Sequence, residues 1–490
     1  MKILKIKTTS LLQKAIFINI LLLNTFSVSS QNAFGSVHSN YCPTNMVVLN
    51  PSSMANSKTY LDINIVGFGS YTNNNYVYLQ DISLIKAFGK SELDKEIRYD
   101  VRRIDSRLYN REFVAGPGAT WNKGDHGIGL SFNARSYNGL QNLPAFAKPF
   151  IEDGVKFNTP HQDINYTANN LKLASLTFAE IQASYSYAFL KKGKQMFIGG
   201  ASIKKFYSIA AGAANIYDID VNVRDSFQIS LQTLNMDAMY TPNPKLSSKG
   251  GLGLDIGFTY QSLLASCESY KPNTKKSGCR YIPYKYKIGF SIVDIGAVKF
   301  KEENIKFAGY ELKNVEWMNY SNTKIDSTNA LNVFESSEIT INEGKVNKPT
   351  KVKLPTFISL QFDYNVWASF IYVNASIIQG IPHGINKFGL RHANSLSICP
   401  RFETKWIDIA IPFSLYEYKD PQLGLSLRFG PITIGTDKFL NWVTNQDIYG
   451  ADIYFYAKVP IFYHPKCKAT MKHKNKGKIN FKKASNCPIL

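Results

Sequence analysis

The sequence predicts an all-β protein, a transmembrane antiparallel β-barrel of about 14 strands, from three observations. Apolar and polar residues alternate along the body of the chain with a period of two, the pattern of a half-buried strand. The alternating segments run to roughly 10–14 residues, which fits tilted strands that cross a bilayer better than soluble sandwich strands of about 5–6 residues. Aromatic residues make up 13% of the chain and charged residues 19%, a composition that excludes disorder. A secreted soluble β-protein is the alternative.

The N-terminus has the features of a secretory signal peptide over residues 1–30. Three lysines stand among the first seven residues, an apolar run covers 15–23, and small residues at 28–30 precede Gln31, the predicted mature start. A transmembrane anchor is the alternative, but the run is short and two asparagines interrupt it. We therefore expect an exported protein of the cell outer membrane.

The strand pattern is clearest at residues 250–262, where even positions are apolar and odd positions are small or polar. The same alternation recurs along the chain, whereas amphipathic helices are scarce. The predicted strands lie near residues 60–68, 76–88, 111–121, 126–138, 174–189, 195–208, 250–262, 281–296, 353–364, 367–380, 395–404, 406–416, 422–435 and 450–460.

The predicted connections alternate between tight turns and long polar loops. The long ones cover 139–173, 209–249 and 297–352, and barrels of this type place short turns in the periplasm and long loops outside. When 14 strands are counted back from a periplasmic C-terminus, several tight turns fall on the extracellular side, where long loops are expected. The apolar phase also changes at Gly430-Pro431, either at a hairpin that adds a strand or at a bulge. The count is therefore about 14 to 16.

The net charge of +21 is concentrated at the ends of the chain. Residues 1–30 hold four lysines and 464–490 hold eight, with no acidic residue in either segment. The body is only mildly basic, so the charge does not indicate a nucleic-acid partner. The basic tail is expected to be periplasmic, either a flexible terminus or a segment that contacts an anionic surface.

No pattern in the sequence predicts catalysis or metal binding. The histidines lack the spacing of a metal site, and His38-Ser39-Asn40 lies in a segment without strand alternation. We predict no enzyme activity, no catalytic residue and no cofactor.

Three charged residues on predicted strands are candidates for lining the lumen: Lys285, Lys287 and Asp255. They either belong to a pathway through the barrel or only keep its interior hydrated.

Four cysteines flank two connections as candidate disulfide partners. Cys267 and Cys279 enclose one connection, and Cys467 and Cys487 enclose the basic tail. In an exported protein each pair could form a bridge worth roughly 3 kcal/mol, or remain as free thiols.

Three short stretches resemble a known family. Asn50 and Pro51 begin the stretch Asn-Pro-Ser-Ser-Met-Ala before the first strand, which is similar to the hatch signature of FadL-like outer-membrane barrels. Gly430-Pro431 and a late Gly-Ala-Asp-Ile-Tyr stretch at 450–454 resemble an uncharacterised Bacteroidota-type branch of that group, a domain of unknown function.

The resemblance implies a plug at 31–59, a barrel at 60–463 and a tail at 464–490. It implies an outer-membrane barrel in contact with lipid that passes small or hydrophobic molecules. The alternative is a structural barrel that docks envelope or secretion components through its loops or tail. A hydrophobic pocket with a lateral opening would favour transport, and a fully packed lumen would favour docking.

Overall fold

The computed structural model describes residues 33–90, 96–100, 106–144, 165–225, 228–274, 281–318, 350–382 and 388–465. Short 3₁₀ turns cover Pro51–Met54 and Glu302–Asn304. The helices are α1 (Pro43–Leu49), α2 (Leu84–Ala87) and α3 (Phe439–Val443). The strands are β1 (Leu61–Asn74), β2 (Val77–Ile82), β3 (Ile97–Tyr99), β4 (Ser106–Lys123), β5 (His126–Leu143), β6 (Asn165–Lys192), β7 (Gln195–Val223), β8 (Gln228–Tyr240), β9 (Leu252–Leu263), β10 (Tyr284–Lys299), β11 (Lys306–Met318), β12 (Lys351–Lys353), β13 (Phe357–Trp367), β14 (Ile371–Gly380), β15 (Ser395–Glu403), β16 (Ile407–Ala410), β17 (Phe413–Tyr416), β18 (Asp420–Leu423), β19 (Leu425–Phe429), β20 (Ile432–Thr436), β21 (Gln446–Ile448) and β22 (Asp452–Ile461).

The strands form a closed antiparallel barrel of 14 strands, as the sequence predicted. β1 pairs with β4 on one side and with β22 on the other, which closes the wall. β16 with β17, and β18 with β19, each form one barrel strand with a short interruption. Closure pairs the backbone groups that an open edge would leave unsatisfied in hydrocarbon, at several kcal/mol each.

Alternate residues of each barrel strand separate an apolar outer face from a polar inner face. In β9, Leu254, Ile256 and Phe258 are exposed, whereas Asp255 between them and Thr259 after them are buried. An exposed apolar row beside a buried polar row is the reverse of a soluble β-protein and is typical of a wall that faces lipid. The inner polar row faces the lumen.

The two ends of the barrel differ in their connections. The end that holds residues 60 and 462, here named the turn end, carries short turns at 124–125, 193–194, 368–370, 404–406 and 430–431. The opposite end, named the loop end, carries longer connections except for the turn at 417–419.

Aromatic rings form a row on the outer face near the turn end. The ring centroids of Phe197 and Tyr260 lie 4.9 Å apart, and those of Tyr260 and Tyr286 lie 5.9 Å apart. A row of aromatic residues near one end of the outer face is typical of a membrane–water interface.

One predicted barrel strand was wrong, and the alternative left open at Gly430-Pro431 is resolved as a hairpin, so the count remains 14. Segment 76–88 contains β2 and α2, which lie beside the barrel, so it adds no strand to the wall. Segment 422–435 contains two barrel strands, because Gly430, at a φ of 55°, and Pro431 form a hairpin between β19 and β20. With both corrections the tight turns named above fall at the turn end, and the conflict over sidedness disappears.

Parts of the predicted long loops are strands that extend the wall beyond the loop end. β6 and β7 have 28 and 29 residues, far more than the roughly 10 that cross a bilayer. Beyond the wall β7 continues its pairing with β8, and β8 pairs with β11. The result is a four-stranded sheet, here named the extension, which contains residues expected to be loops at 139–173, 209–249 and 297–352.

A smaller sheet of β21, β2 and β3 lies at the loop end beside α2 and α3. Leu79, Ile82 and Ile448 form its apolar core. Among the residues described, none of the helices has the length and hydropathy needed to cross a membrane.

Candidate functional site

The segment before the first barrel strand, here named the hatch (residues 33–59), lies inside the lumen. Pro43 and Pro51 start α1 and the following 3₁₀ turn, positions where the missing N–H of proline costs nothing. Most hatch residues are buried, and Phe34, Val37 and Leu49 pack in an apolar cluster with aromatic residues of the wall. Polar contacts with the inner face of the wall add to this packing.

The Asn50-Pro51 motif docks against glycines of the wall. Asn50 Oδ1 accepts a hydrogen bond from Ser52 N at 3.0 Å, and its Nδ2 donates to Gln361 Oε1 at 3.0 Å. A Cβ atom at Gly257 would stand 2.1 Å from Asn50 Oδ1, and one at Gly200 would stand 2.4 Å from Ser52 N. The motif therefore contacts the wall closely at positions where the wall residues must be glycine.

A buried ionic network, here named the hatch network, fastens the hatch to β13 and β15. Arg401 lies 2.6 Å from Asp363 and 2.5 Å from Glu403, and all three side chains are almost completely buried. Glu403 also forms an ion pair with Lys58 of the hatch at 3.4 Å and accepts a hydrogen bond from Asn40 Nδ2 at 3.0 Å. Each charge in this network is compensated by another, which makes burial tolerable.

Two further polar contacts hold α1 and the segment before it. Ser39 Oγ donates to Asp408 at 2.6 Å, and Asp408 pairs with Arg428. Lys458 Nζ lies 2.6 Å from Asn45 Oδ1 and 3.6 Å from Asp62. The hatch is thus tied to several strands, on different sides of the lumen.

A second buried network, here named the wall network, joins strands without touching the hatch. Lys204 lies 2.8 Å from Asp255 and 2.6 Å from Asp294, which Arg135 also contacts at 2.7 Å. Arg135 pairs with Glu180 as well. The five side chains come from β5, β6, β7, β9 and β10, and together they span part of the lumen.

The structure places the three predicted lumen residues in different environments. Asp255 belongs to the wall network, and Lys287 is buried 3.6 Å from Asp363. Lys285 is exposed and does not line the lumen, because the pairing of β10 with β9 shifts register between Tyr284 and Tyr286. A bulge at this point turns a residue away from the face that simple alternation assigns to it.

Sequence reasoning missed Asp294 as a lumen residue. Its φ of 58° lies in the left-handed region, and the register of β10 against β9 shifts between Ile292 and Ile295. The bulge turns Asp294 inward, where its backbone N–H donates to Asp255 at 2.8 Å. Period-two alternation gives no sign of such a residue. The lumen arginines Arg135 and Arg401 were missed too, although both lie on alternating strands.

The predicted disulfides lie partly outside the described residues. Cys279, Cys467 and Cys487 are in undescribed segments, as are the signal peptide and nearly all of the basic tail. Cys267 is buried, and its thiol lies 3.1 Å from the carbonyl of Gln195. The pairings therefore stay predictions.

The described part of the chain contains no candidate metal centre. No group of three His, Cys, Asp or Glu side chains there is arranged to hold a metal ion. His38 is buried in the hatch, and burial, followed by the Arg401 charge, lowers its pKa to about 3. His38 is therefore a neutral ring at physiological pH, stacked on Phe34.

A cavity of about 70 Å³ separates the hatch from the inner faces of β4, β5 and β6. Val37 and Val48 line it from the hatch, and Phe113 lines it from β4. Val48 is 40% exposed although it lies inside the barrel. Asn133 and Arg135 supply a polar side, so the cavity is amphipathic.

The wall beside this cavity has a break in its strand pairing. The register of β4 skips Gly116 and Pro117 against both β1 and β5, since proline lacks the N–H that the ladder requires. Asn64 Nδ2 donates to the carbonyls of Ala115 at 3.3 Å and Gly116 at 2.8 Å. A side chain thus closes the point where the backbone ladder fails.

Comparison with protein families gives a match to one model, which is described as a family of unknown function (DUF5723) and covers residues 51–437. No curated protein matches.

Solved structures of FadL type match over most of the chain, but they superimpose poorly. A Pseudomonas aeruginosa FadL homologue has 10% identity and a TM-score of 0.38, with 89% of this chain and 100% of that chain covered. The Ralstonia pickettii toluene transporter TbuX has 6% identity and a TM-score of 0.36, with 85% and 93% covered. The Pseudomonas putida toluene transporter TodX has 8% identity and a TM-score of 0.29, with 88% and 98% covered. The matches include the FadL type that the sequence motifs resemble, together with a family of unknown function.

Proposed function

The chain belongs to this family of unknown function, DUF5723, and from the geometry of its lumen we propose that it passes small, partly apolar molecules across the outer membrane without chemical conversion. The observation that carries the proposal is the amphipathic cavity between the hatch and the wall, into which Val48 is exposed. An apolar side chain left uncovered in an otherwise packed and polar lumen supports a binding surface for an apolar group.

The route begins at the loop end, which corresponds to the cell exterior when the short turns are periplasmic. A second cavity, of about 20 Å³, lies between the first cavity and the loop end and is lined by Tyr109, Tyr137 and Arg391. The two cavities share Arg111. A molecule that enters from the loop end would pass Arg111 to reach Val48.

The hatch closes the route toward the turn end, so passage requires the hatch to move. Its helix α1 has only seven residues and depends on the lumen contacts for its stability. The break at Gly116 and Pro117 offers a second exit, sideways into the membrane, at the point where the Asn64 side chain bridges β1 and β4.

Uptake by proteoliposomes tests this function, with a long-chain fatty acid as the apolar solute. The full-length protein is expected to raise uptake above that of empty liposomes, and Val48→Trp is expected to abolish most of the increase by filling the cavity. The matched control is Val114→Trp, because Val114 is 43% exposed on the outer face of the neighbouring strand β4. No uptake above empty liposomes, or equal effects of the two substitutions, would overturn the proposal.

The extension favours a second function, the docking of another envelope protein. Twelve residue pairs join β8 to β11, and Tyr310, Leu312 and Leu231 contribute to an apolar cluster of their own. Such a sheet is not needed for a channel that ends at the membrane surface. Pull-downs from membrane extract should lose a partner when residues 306–349 are deleted, and unchanged interactions would eliminate this function.

A further inference from the structure

A basic cluster lies on the outer face of the wall, directly above the apolar belt at the loop end. Lys205 of β7 stands opposite Leu252 of β9, and Lys299 of β10 stands opposite Lys351 of β12. All belong to the outward-facing set of their strands, since Phe206 and Val298 beside them face inward and are buried. Lys353 is on the same outward row, opposite Ala297.

Among the described residues, no carboxylate forms an ion pair with Lys205, Lys299 or Lys351. The neighbouring lysine of β7, Lys204, points into the lumen, where it forms ion pairs with Asp255 and Asp294. Three like charges on β7, β10 and β12, with only β9 between the first two, raise the local positive potential.

The surface below the cluster is apolar and continuous with the lipid-facing belt. Leu252, at the level of Lys205, is 64% exposed, and Ile203, directly below Lys205 on β7, is 61% exposed. The stem of Lys299 passes over Gly251, where a Cβ atom would stand 3.5 Å from its Cγ. The ammonium groups therefore lie where the acyl chains of a membrane lipid end and its headgroup begins.

We propose that this cluster binds a phosphate-bearing lipid of the outer leaflet, with the phosphates on Lys205, Lys299 and Lys351 and the acyl chains on Leu252 and Ile203. Charge complementarity and continuity with the lipid-facing surface both support this occupant. A bound lipid of this kind anchors the wall below the extension.

The test measures lipid binding to the detergent-solubilised full-length protein by native mass spectrometry. The lipids are a diphosphorylated lipid A, the same glycolipid without phosphates, and phosphatidylcholine. The triple variant Lys205→Gln, Lys299→Gln and Lys351→Gln is expected to weaken lipid A binding by about fivefold per lysine, on the order of 100-fold in total. Removal of the lipid phosphates should weaken binding to the wild type to a similar extent.

The matched control removes three exposed lysines at the turn end, Lys192→Gln, Lys194→Gln and Lys285→Gln. It changes the net charge equally and should leave lipid A binding unaltered. Circular dichroism checks that both variants keep the β-structure of the wild type. The proposal is overturned if the two triple variants bind lipid A alike, if the dephosphorylated lipid binds as well, or if inorganic phosphate alone binds as tightly as the lipid.

Discussion

The outer and inner faces of the barrel consist of alternate residues of the same strands, and they are stabilised differently. On the outer face, Ile256 and Phe258 need only an apolar surrounding, which any lipid chain supplies. On the inner face, Asp255 and Arg401 need specific partners at hydrogen-bond distance, which only other strands supply. Substitutions on the outer face should therefore depend on depth in the membrane, and those on the inner face on individual contacts.

The largest effect is expected from Arg401→Leu on the inner face. The change leaves Asp363 and Glu403 buried without their main counter-charge, which should cost about 3–5 kcal/mol of unfolding free energy. Denaturant unfolding in lipid vesicles measures the loss, and Lys194→Leu at the exposed turn end should stay within about 0.5 kcal/mol. A loss of unfolding free energy no larger than that of the control would mean that the hatch network is exposed to water.

A slightly smaller effect is expected from a charge placed on the outer face. Ile256→Arg puts a guanidinium near the middle of the belt and should cost about 2–4 kcal/mol, whereas Leu252→Arg at its upper edge should cost about 0–1 kcal/mol. The same unfolding measurement gives both values. Equal costs would contradict the placement of the belt boundary at Leu252, beside the basic cluster.

Glycine substitutions compare the two faces with the same chemical change. Gly257→Ala forces a methyl group against Asn50, where the ideal distance is only 2.1 Å, and should cost about 1–3 kcal/mol. Hydrogen exchange in residues 43–54 should also increase as the hatch loosens. Gly199→Ala on the outer face, 3.7 Å from the nearest ring atom of Phe189, should leave both measurements unchanged. An undisturbed hatch in Gly257→Ala would refute docking through the Asn-Pro motif.

The smallest effect is expected at the break in the wall. Asn64→Ala removes two hydrogen bonds to the carbonyls of Ala115 and Gly116, which should cost about 1 kcal/mol. If the break is a lateral exit, fatty-acid uptake by proteoliposomes should rise in this variant. Unchanged uptake with reduced stability would leave Asn64 a purely structural bridge.

The outer face was predictable because lipid imposes a simple rule on it. Leu254, Ile256 and Phe258 follow a period of two that any reader of the sequence can see. The hatch was predictable only through the resemblance carried by Asn50 and Pro51. The hairpin at Gly430 was left open between two alternatives, since a phase change has the same sequence pattern whether the strand bulges or turns back.

The inner face was predictable only in part because its chemistry depends on register. Lys285 and Lys287 share a phase in the sequence, yet a bulge exposes one and buries the other. Asp294 enters the wall network through a second bulge in the same strand. Segment 76–88 alternates like a barrel strand but pairs with β3 and β21 outside the wall.

The sequence by itself determined that this chain is an alternating all-β protein with an apolar face suited to lipid, because that property needs only the local period of two. The tertiary structure alone decided which strands close the wall, which charges meet in the lumen and which lysines gather at the loop end. Those features join residues that are far apart in the chain, such as Arg135 with Asp294 and Lys58 with Glu403. Pairwise distances of this kind follow from strand register and closure, and no local pattern records them.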